Sequence, residues 1–315
     1  MKICTLCPRN CGADRENGQL GFCGQTNEVK VARAALHNWE EPCISGKNGS
    51  GTVFFSGCSL KCVFCQNHNI AHGDAGKVIS TERLSEIFLE LQEKGAHNIN
   101  LVTPSHYVPQ IITALESAKN QGLTLPIVYN TGSYEKVKTI RQLEGLVDIY
   151  LPDFKYMSPI ISAKYSYAAD YSIVAKDVIA EMVRQTGKPE FFAVEGAEAS
   201  KADVDPIEAG ALMKRGTIVR HMLLPRYTDD SKAVIRYLYQ TYGDQIYISI
   251  MNQYTPVAGL DKYPELRRKV TKREYGEVVK YAIELGVECG FIQDGATAEE
   301  SFIPEFDGEG VLREE

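Results

Sequence analysis

The chain has 315 residues, 44% hydrophobic and 24% charged, with a net charge of -7. This is an ordinary soluble composition, long enough for a large core, and it favours one barrel-like domain with a small appendage over two equal domains. The acidic balance without a Lys/Arg run argues against nucleic acid as a partner, and no apolar stretch is long enough to span a membrane.

The N-terminus, Met1-Lys2-Ile3-Cys4, lacks the apolar core of a signal peptide, so a cytoplasmic location is expected. In that setting nine cysteines suggest metal or redox chemistry rather than disulfides. Seven of them form two tight groups, Cys4/Cys7/Cys11/Cys23 and Cys58/Cys62/Cys65. Cys43 and Cys289 stand alone and read as small buried hydrophobes.

Residues 1 to about 30 show little apolar periodicity and cannot bury enough surface to fold alone. Four thiols at Cys-x2-Cys-x3-Cys-x11-Cys supply the missing cross-link, and glycines after Cys11 and Cys23 allow tight turns around a bound ion or cluster. Zinc and an Fe–S cluster both accept four thiolates, so the metal stays open. An apolar run from Val29 to Leu36 follows, then Trp39-Glu40-Glu41-Pro42 and a turn-rich connector over 46–51. Thr52-Val53-Phe54-Phe55 is a short strand that ends at Gly57.

The next stretch, Gly57-Cys58-Ser59-Leu60-Lys61-Cys62-Val63-Phe64-Cys65-Gln66-Asn67, is the one around which the chain is organised. A [4Fe-4S] cluster normally takes four thiolates, and this loop offers three. One iron would stay open to a small molecule, which is an active-site arrangement. The competing reading is a zinc knuckle that takes a fourth ligand from His68 or His72.

Strand and helix signals then alternate. Helices are expected at 80–95 with Ser80 or Thr81 as cap, at 108–122, briefly through Val137 and Ile140, through Val174 to Met182, after Asp229 or Asp230, and after the capping box Thr271-Lys272-Arg273-Glu274. Strands are expected at 98–103, 126–129, 147–151, 217–224, 246–251 and 287–292, while 188–215 reads as an insertion. Apolar strands joined by helices mean a parallel sheet with crossovers, here an α/β fold, a partial open (β/α)6 barrel over 45–315 with a Cys-rich metal-binding segment over 1–44. Thr103, Asn130, Asp153 and Asn252 fall at strand ends, where such folds carry their sites.

Cys-x3-Cys-x2-Cys with an aromatic, Phe64, before its last Cys resembles the signature of the radical S-adenosylmethionine (SAM) superfamily. Residues 45 to about 300 are similar to the enzymes that activate glycyl radical enzymes. The head Cys4-x2-Cys7-Pro8-Arg9-x-Cys11-Gly12 and Cys65-Gln66-Asn67 resemble relatives of pyruvate formate-lyase activating enzyme. The resemblance implies SAM on the open iron, reductive cleavage to a 5′-deoxyadenosyl radical, and SAM contacts from Phe64, Thr103, Ser105, Asn130, Asp153, Lys155 and His221. It also implies an electron donor of flavodoxin or ferredoxin type and a glycyl radical enzyme as protein substrate. Two departures matter. Many members carry Gly-Gly-Glu after the second strand; this chain has Val102-Thr103-Pro104-Ser105-His106, so a carbonyl near Thr103, the Ser105 hydroxyl or His106 must take that contact. Activases carry an Asp-Thr-Asn-Gly type turn; here Asn130-Thr131-Gly132 lacks a carboxylate. In Arg220-His221, one of the pair is expected to point into the barrel. Radical modification of a peptide or small molecule, and a non-catalytic Fe–S or zinc protein, are the other functions weighed.

Overall fold

Strand and helix alternate as the apolar runs predict. The computed structural model describes residues 3–193, 206–207, 209–293 and 304–313. Its strands are β1 (Val29–His37), β2 (Ser50–Phe55), β3 (Lys77–Ile79), β4 (Ile99–Val102), β5 (Ile127–Thr131), β6 (Ile149–Pro152), β7 (Glu190–Phe191), β8 (Met213–Met222), β9 (Tyr247–Met251) and β10 (Gly290–Ile292). Its helices are α1 (Pro42–Ser45), α2 (His68–His72), α3 (Thr81–Glu93), α4 (Val108–Asn120), α5 (Val137–Ile140), α6 (Pro159–Ser166), α7 (Tyr171–Thr186), α8 (Thr228–Tyr242) and α9 (Lys272–Leu285).

The spatial order is β10-β9-β8-β6-β5-β4-β2-β1-β3, and from β10 to β2 all neighbours are parallel. From β4 to β10 the chain steps across the sheet in one direction, with β7 off the path, and β10 and β3 lie at opposite ends, so the barrel stays open. β2, β4, β5, β6 and β9 are buried along their whole length, as strands covered on both faces must be. β1 pairs antiparallel with β2, so residues 29–37 belong to the sheet and the Cys-rich appendage ends before the boundary drawn at residue 44. Of the suspected insertion, the described part gives β7, antiparallel to β8, and the start of β8; 194–205 and 208 lie outside the described residues.

Capping follows the sequence at α3 and α9, whereas α8 starts at Thr228, ahead of Asp229 and Asp230, with no side-chain cap. The Arg83 N–H donates to the Ser80 side chain at 3.1 Å, and Thr271 and Glu274 form a reciprocal capping box. On the outer face Leu84, Ile87, Phe88 and Leu91 of α3 and Ile111 and Leu115 of α4 meet the sheet in one apolar cluster. Phe154, Ile179, Val219, Ile235 and Ile250 build a second with α7 and α8. Inside, Cys43 and Ile44 of α1 pack on Val128, Leu151 and Ile218 and plug the bottom of the barrel. No described helix is long and apolar enough to cross a membrane. The helices α2 and α6 were not foreseen. α6 shows no apolar periodicity, and its Ile160 is 78% exposed.

Candidate active site

The cluster loop leaves β2 at its carboxyl end and is fixed by its own backbone. Gly57 N–H donates to the Ile70 carbonyl at 2.7 Å, Val63 N–H to the Tyr165 carbonyl at 2.9 Å, and Cys65 N–H to the Cys62 carbonyl at 3.0 Å. The Leu60 N–H points at Cys58 Sγ, 3.4 Å away. Gln66 ties the loop to the segment after β9 through a 2.8 Å bond to the Gln253 carbonyl. Phe64 is buried edge-on to Tyr156, Tyr165 and Tyr254. Burial pushes the Cys62 thiol up against the pull of Lys155, and pushes Cys65 up to about 12. Metal binding deprotonates such thiols, so loading the loop releases protons.

Cys58, Cys62 and Cys65 face a cavity of about 270 Å³. Parallel register stacks its inner wall: Phe54 pairs with Val102 and Val102 with Asn130, and Asp153 lies beside Arg220. Arg220 is the hub of the polar wall. Its guanidinium reaches Asp153 at 2.9 Å, Glu40 at 3.0 Å and the Asn130 side-chain oxygen at 2.6 Å. Lys155 Nζ lies 2.6 Å from the other Asp153 oxygen, and Asn100 and Asn130 donate to Glu40 at 3.0 and 3.2 Å. Burial works to raise the Asp153 pKa, but the Arg220 and Lys155 cations overcome it and hold the carboxylate below its usual range. Burial likewise works to lower Lys155 and Arg220, and Asp153 reverses it, so both stay charged.

Of the residues expected at SAM, Phe64, Thr103, Asn130, Asp153 and Lys155 line this cavity. Ser105 does not. It is buried and donates, with Thr131 and Tyr129, to one oxygen of the buried Glu135. His221 does not either. Alternation along β8 turns Arg220 inward and His221 outward, where its Nδ1 donates to the Phe154 carbonyl at 2.7 Å. Burial pushes His221 down to about 4. His106 is also buried outside the cavity, 2.6 Å from the Ser56 carbonyl, with burial pushing it down to about 3. Asn252 is absent from the lining, whereas Met222, Met251 and Gln253 are present. His68 and His72 are exposed on α2 and do not line the cavity, which leaves the zinc-knuckle reading of the loop without a fourth ligand there. Glu40 and Arg220 are the functional residues the sequence reading did not assign. The sequence reading names the pair Arg220-His221 without choosing which of them points inward; nothing in the sequence pointed to Glu40.

The N-terminal cysteines sit in a separate knuckle. Backbone bonds Cys4 N–H to the Ala13 carbonyl (2.9 Å), Asn10 N–H to Cys7 (3.2 Å) and Gly24 N–H to Gly21 (2.9 Å) fold it, with no strand of its own. A Cβ on Gly21 would meet Cys23 Sγ at 3.3 Å and Cys11 Sγ at 3.5 Å, so these thiols share one pocket of the knuckle. Burial, with the nearby Cys4 and Cys23, pushes Cys7 up to about 12. Among the described residues no three His, Cys, Asp or Glu side chains are drawn to single-ion spacing. A zinc ion binds thiolates at about 2.3 Å, so the knuckle would contract around one. The knuckle docks through Arg15, which donates to the His106 carbonyl at 2.8 Å, Lys136 to the Thr5 carbonyl at 2.8 Å, and Thr139 to the Leu6 carbonyl at 2.7 Å. Gly57 (φ +93°) lies so close that a Cβ would stand 2.4 Å from Gln25 Cγ and 2.8 Å from the Cys23 carbonyl oxygen. Gly24 (φ +79°) would put one 2.9 Å from the His72 carbonyl oxygen.

Residues 44–157 match the model of a family described as a 4Fe-4S single cluster domain. Cys58, Cys62 and Cys65 are the cysteines in that span. A [4Fe-4S] cluster is therefore the cofactor of this part of the chain. A protein of Methanocaldococcus jannaschii described as uncharacterized is 26% identical over 288 residues, 90% of this chain and 75% of its own. Among solved structures, Streptococcus suis SuiB bound to S-adenosylmethionine aligns with a TM-score of 0.49 and 13% identity over 76% of this chain and 48% of its own. HydG, a maturase of the [FeFe]-hydrogenase, gives 0.49 and 13% over 80% of this chain and 53% of its own. The chain spans about half the length of these solved structures.

Proposed function

We propose that the chain is a radical SAM enzyme. The observation that carries this reading is where three clustered thiols lie: at the carboxyl ends of parallel strands, facing a cavity whose lining also holds the Asp153–Lys155–Arg220 ion network. Three thiolates suit a [4Fe-4S] cluster with one iron left for a ligand. Held by Cys58, Cys62 and Cys65, such a cluster would supply a single electron for reductive cleavage of the SAM sulfonium.

The chain's own residues do the rest. The Lys155 ammonium offers a charge-assisted bond to the cofactor's carboxylate, while Asp153 and Glu40, fixed by Arg220, accept from its ammonium or hydroxyls. Thr103, held with φ +58° by its N–H bond to the Asn130 carbonyl (2.9 Å), turns its backbone to the cavity in place of the missing Gly-Gly-Glu. Phe64 and the tyrosines behind it close the loop's rear against water. The test is incubation of anaerobically reconstituted protein with SAM and dithionite. 5′-Deoxyadenosine is expected, and its absence from a cluster-loaded sample would sink the proposal.

The finer reading is activase-like: the radical takes hydrogen from a glycine α-carbon of a protein partner, with the electron from a flavodoxin- or ferredoxin-type donor. The Cys4-to-Gly12 head and Cys65-Gln66-Asn67 support it. A glycyl radical signal in a candidate partner by electron paramagnetic resonance tests it, and a modified peptide or small molecule without that signal would replace it. The N-terminal cysteines hold a closed tetrathiolate, zinc or Fe–S, whose task is structural. The reducing cytoplasm proposed for the chain suits cysteines kept as thiolates for metal binding.

A further inference from the structure

We propose that the Ser166 hydroxyl sets the reduction potential of the cluster at Cys62, and that the N-terminal segment holds Ser166 in place through Arg9. This rests on Cys62 being a cluster ligand. Ser166 ends α6, is fully buried, and places its Oγ 2.9 Å from Cys62 Sγ. The Tyr156 hydroxyl, equally buried, lies 2.7 Å from that Oγ. An iron-bound thiolate can only accept. Ser166 has one proton and gives it to the sulfur, so Tyr156 is the donor of the second bond. The Tyr156 hydroxyl also lies within reach of Cys62 itself, so both hydroxyl protons are directed toward the sulfur. Reduction adds negative charge that spreads onto the thiolates. A donor aimed at a ligand sulfur stabilises the reduced state more than the oxidised one and raises the potential.

Arg9 reaches this point from the other cysteine group. Its guanidinium donates to the Ser59 carbonyl at 2.7 Å, to the Ser166 carbonyl at 2.8 Å and to the Tyr167 carbonyl. Ser59 lies beside Cys58, and Tyr167 holds the left-handed turn (φ +54°) that stops α6. Phe22, 4.1 Å from the guanidinium carbon, and Tyr134, 4.9 Å away, sandwich the cation. One side chain of the N-terminal segment therefore fixes both the cluster loop and the helix end that donates to it. Ser166 and Arg9 are positioning residues, since neither touches a reacting atom.

The experiment is a redox titration of the full, anaerobically reconstituted chain, followed by electron paramagnetic resonance without SAM. Ser166→Ala should keep its iron content and visible absorption but move the midpoint to more negative potential. A tenfold smaller ratio of reduced to oxidised cluster at fixed poise corresponds to about 59 mV for one electron. Ser166→Thr, which restores a hydroxyl, should return most of the shift. Tyr156→Phe should move the midpoint the same way, and it keeps the question open to measurement if Ser166→Ala folds poorly. Arg9→Ala should give a smaller shift of the same sign. A purely structural role would lower iron content or stability and leave the midpoint of the loaded protein alone. An unmoved midpoint in iron-loaded Ser166→Ala and Tyr156→Phe overturns the hydroxyl's role, and an unmoved midpoint in Arg9→Ala overturns the strut. Failure of the wild type to load a cluster at Cys58, Cys62 and Cys65 overturns the radical SAM reading itself, so the two failures are distinguishable.

Discussion

Two cysteine groups sit side by side in this chain and are built by opposite means. The loop of Cys58, Cys62 and Cys65 is carried by a buried strand, walled by aromatic rings and opened onto a cavity. The knuckle of Cys4, Cys7, Cys11 and Cys23 contributes no residue to the buried apolar clusters of the sheet and is held by turns and by side chains donating to its carbonyls. The first is framed by the barrel, whose core supplies the folding energy. A metal bound at the second would supply a larger share of its order. Incomplete thiolate number goes with a rigid frame and an open cavity; complete thiolate number goes with a segment that needs a cross-link.

Four perturbations would break or sharpen that contrast. Cys62→Ala should abolish 5′-deoxyadenosine formation while far-UV circular dichroism stays as in the wild type; turnover in the variant would remove the loop from the chemistry. Asp153→Ala should weaken SAM binding by about tenfold to a hundredfold, roughly 1.5–3 kcal/mol for each charge-assisted bond lost. It should also lower the urea midpoint, since Arg220 and Lys155 lose the carboxylate between them. An unchanged SAM dissociation constant by calorimetry would leave the network with a structural role only.

The third perturbation is acid. His221 has a folded pKa of about 4, below the value near 6.5 of an unfolded histidine. Its contribution to stability is whole above about pH 6.5 and is lost as pH falls toward the folded value, at up to about 1.4 kcal/mol per unit. His221→Gln should flatten the dependence of the urea midpoint on pH between about 4 and 6.5. An equally steep wild type and variant would show that other groups drive the loss. The smallest effect on turnover is expected from Cys7→Ala with Cys11→Ala. Metal content should fall and the first 28 residues should become sensitive to protease, while cleavage of SAM with dithionite largely survives. Loss of cleavage from a still-folded barrel would move the knuckle into the chemistry and erase the contrast.

Much of this was legible in the sequence. Cysteine spacing marks both groups, and a buried parallel sheet announces itself through apolar strands whose polar residues come last, which is how Thr103, Asn130 and Asp153 stood out. The same property hid Arg220. β8 is apolar on both faces, so nothing in its pattern tells inward from outward, and a one-residue choice exchanges Arg220 for His221. Glu40 lies in the loop between β1 and α1, and its place is set by pairing with Asn100 and Arg220 across the barrel. Ser105 left the cavity because Glu135, some 30 residues on, needs donors for a buried carboxylate. Side chains placed by local pattern were readable; side chains placed by long-range partners were not.

The close approach at Gly57 and Gly24 has a consequence for how the molecule can vary over time. At both positions any side chain would collide with main chain of the other cysteine region, in a conformation that L-residues rarely adopt. The seam between the two regions therefore has no cheap intermediate. A lineage cannot trim the N-terminal knuckle residue by residue while keeping the loop's geometry. It must keep both glycines and the knuckle together or rebuild the start of the cluster loop in one step. In a saturation library these two sites should tolerate almost no replacement as long as the knuckle is present. Gly57, the one of the two that lies outside the knuckle, should become more permissive in a background where the knuckle has been removed and the loop re-anchored, which makes the seam a test of whether the two cysteine regions are inherited as one unit.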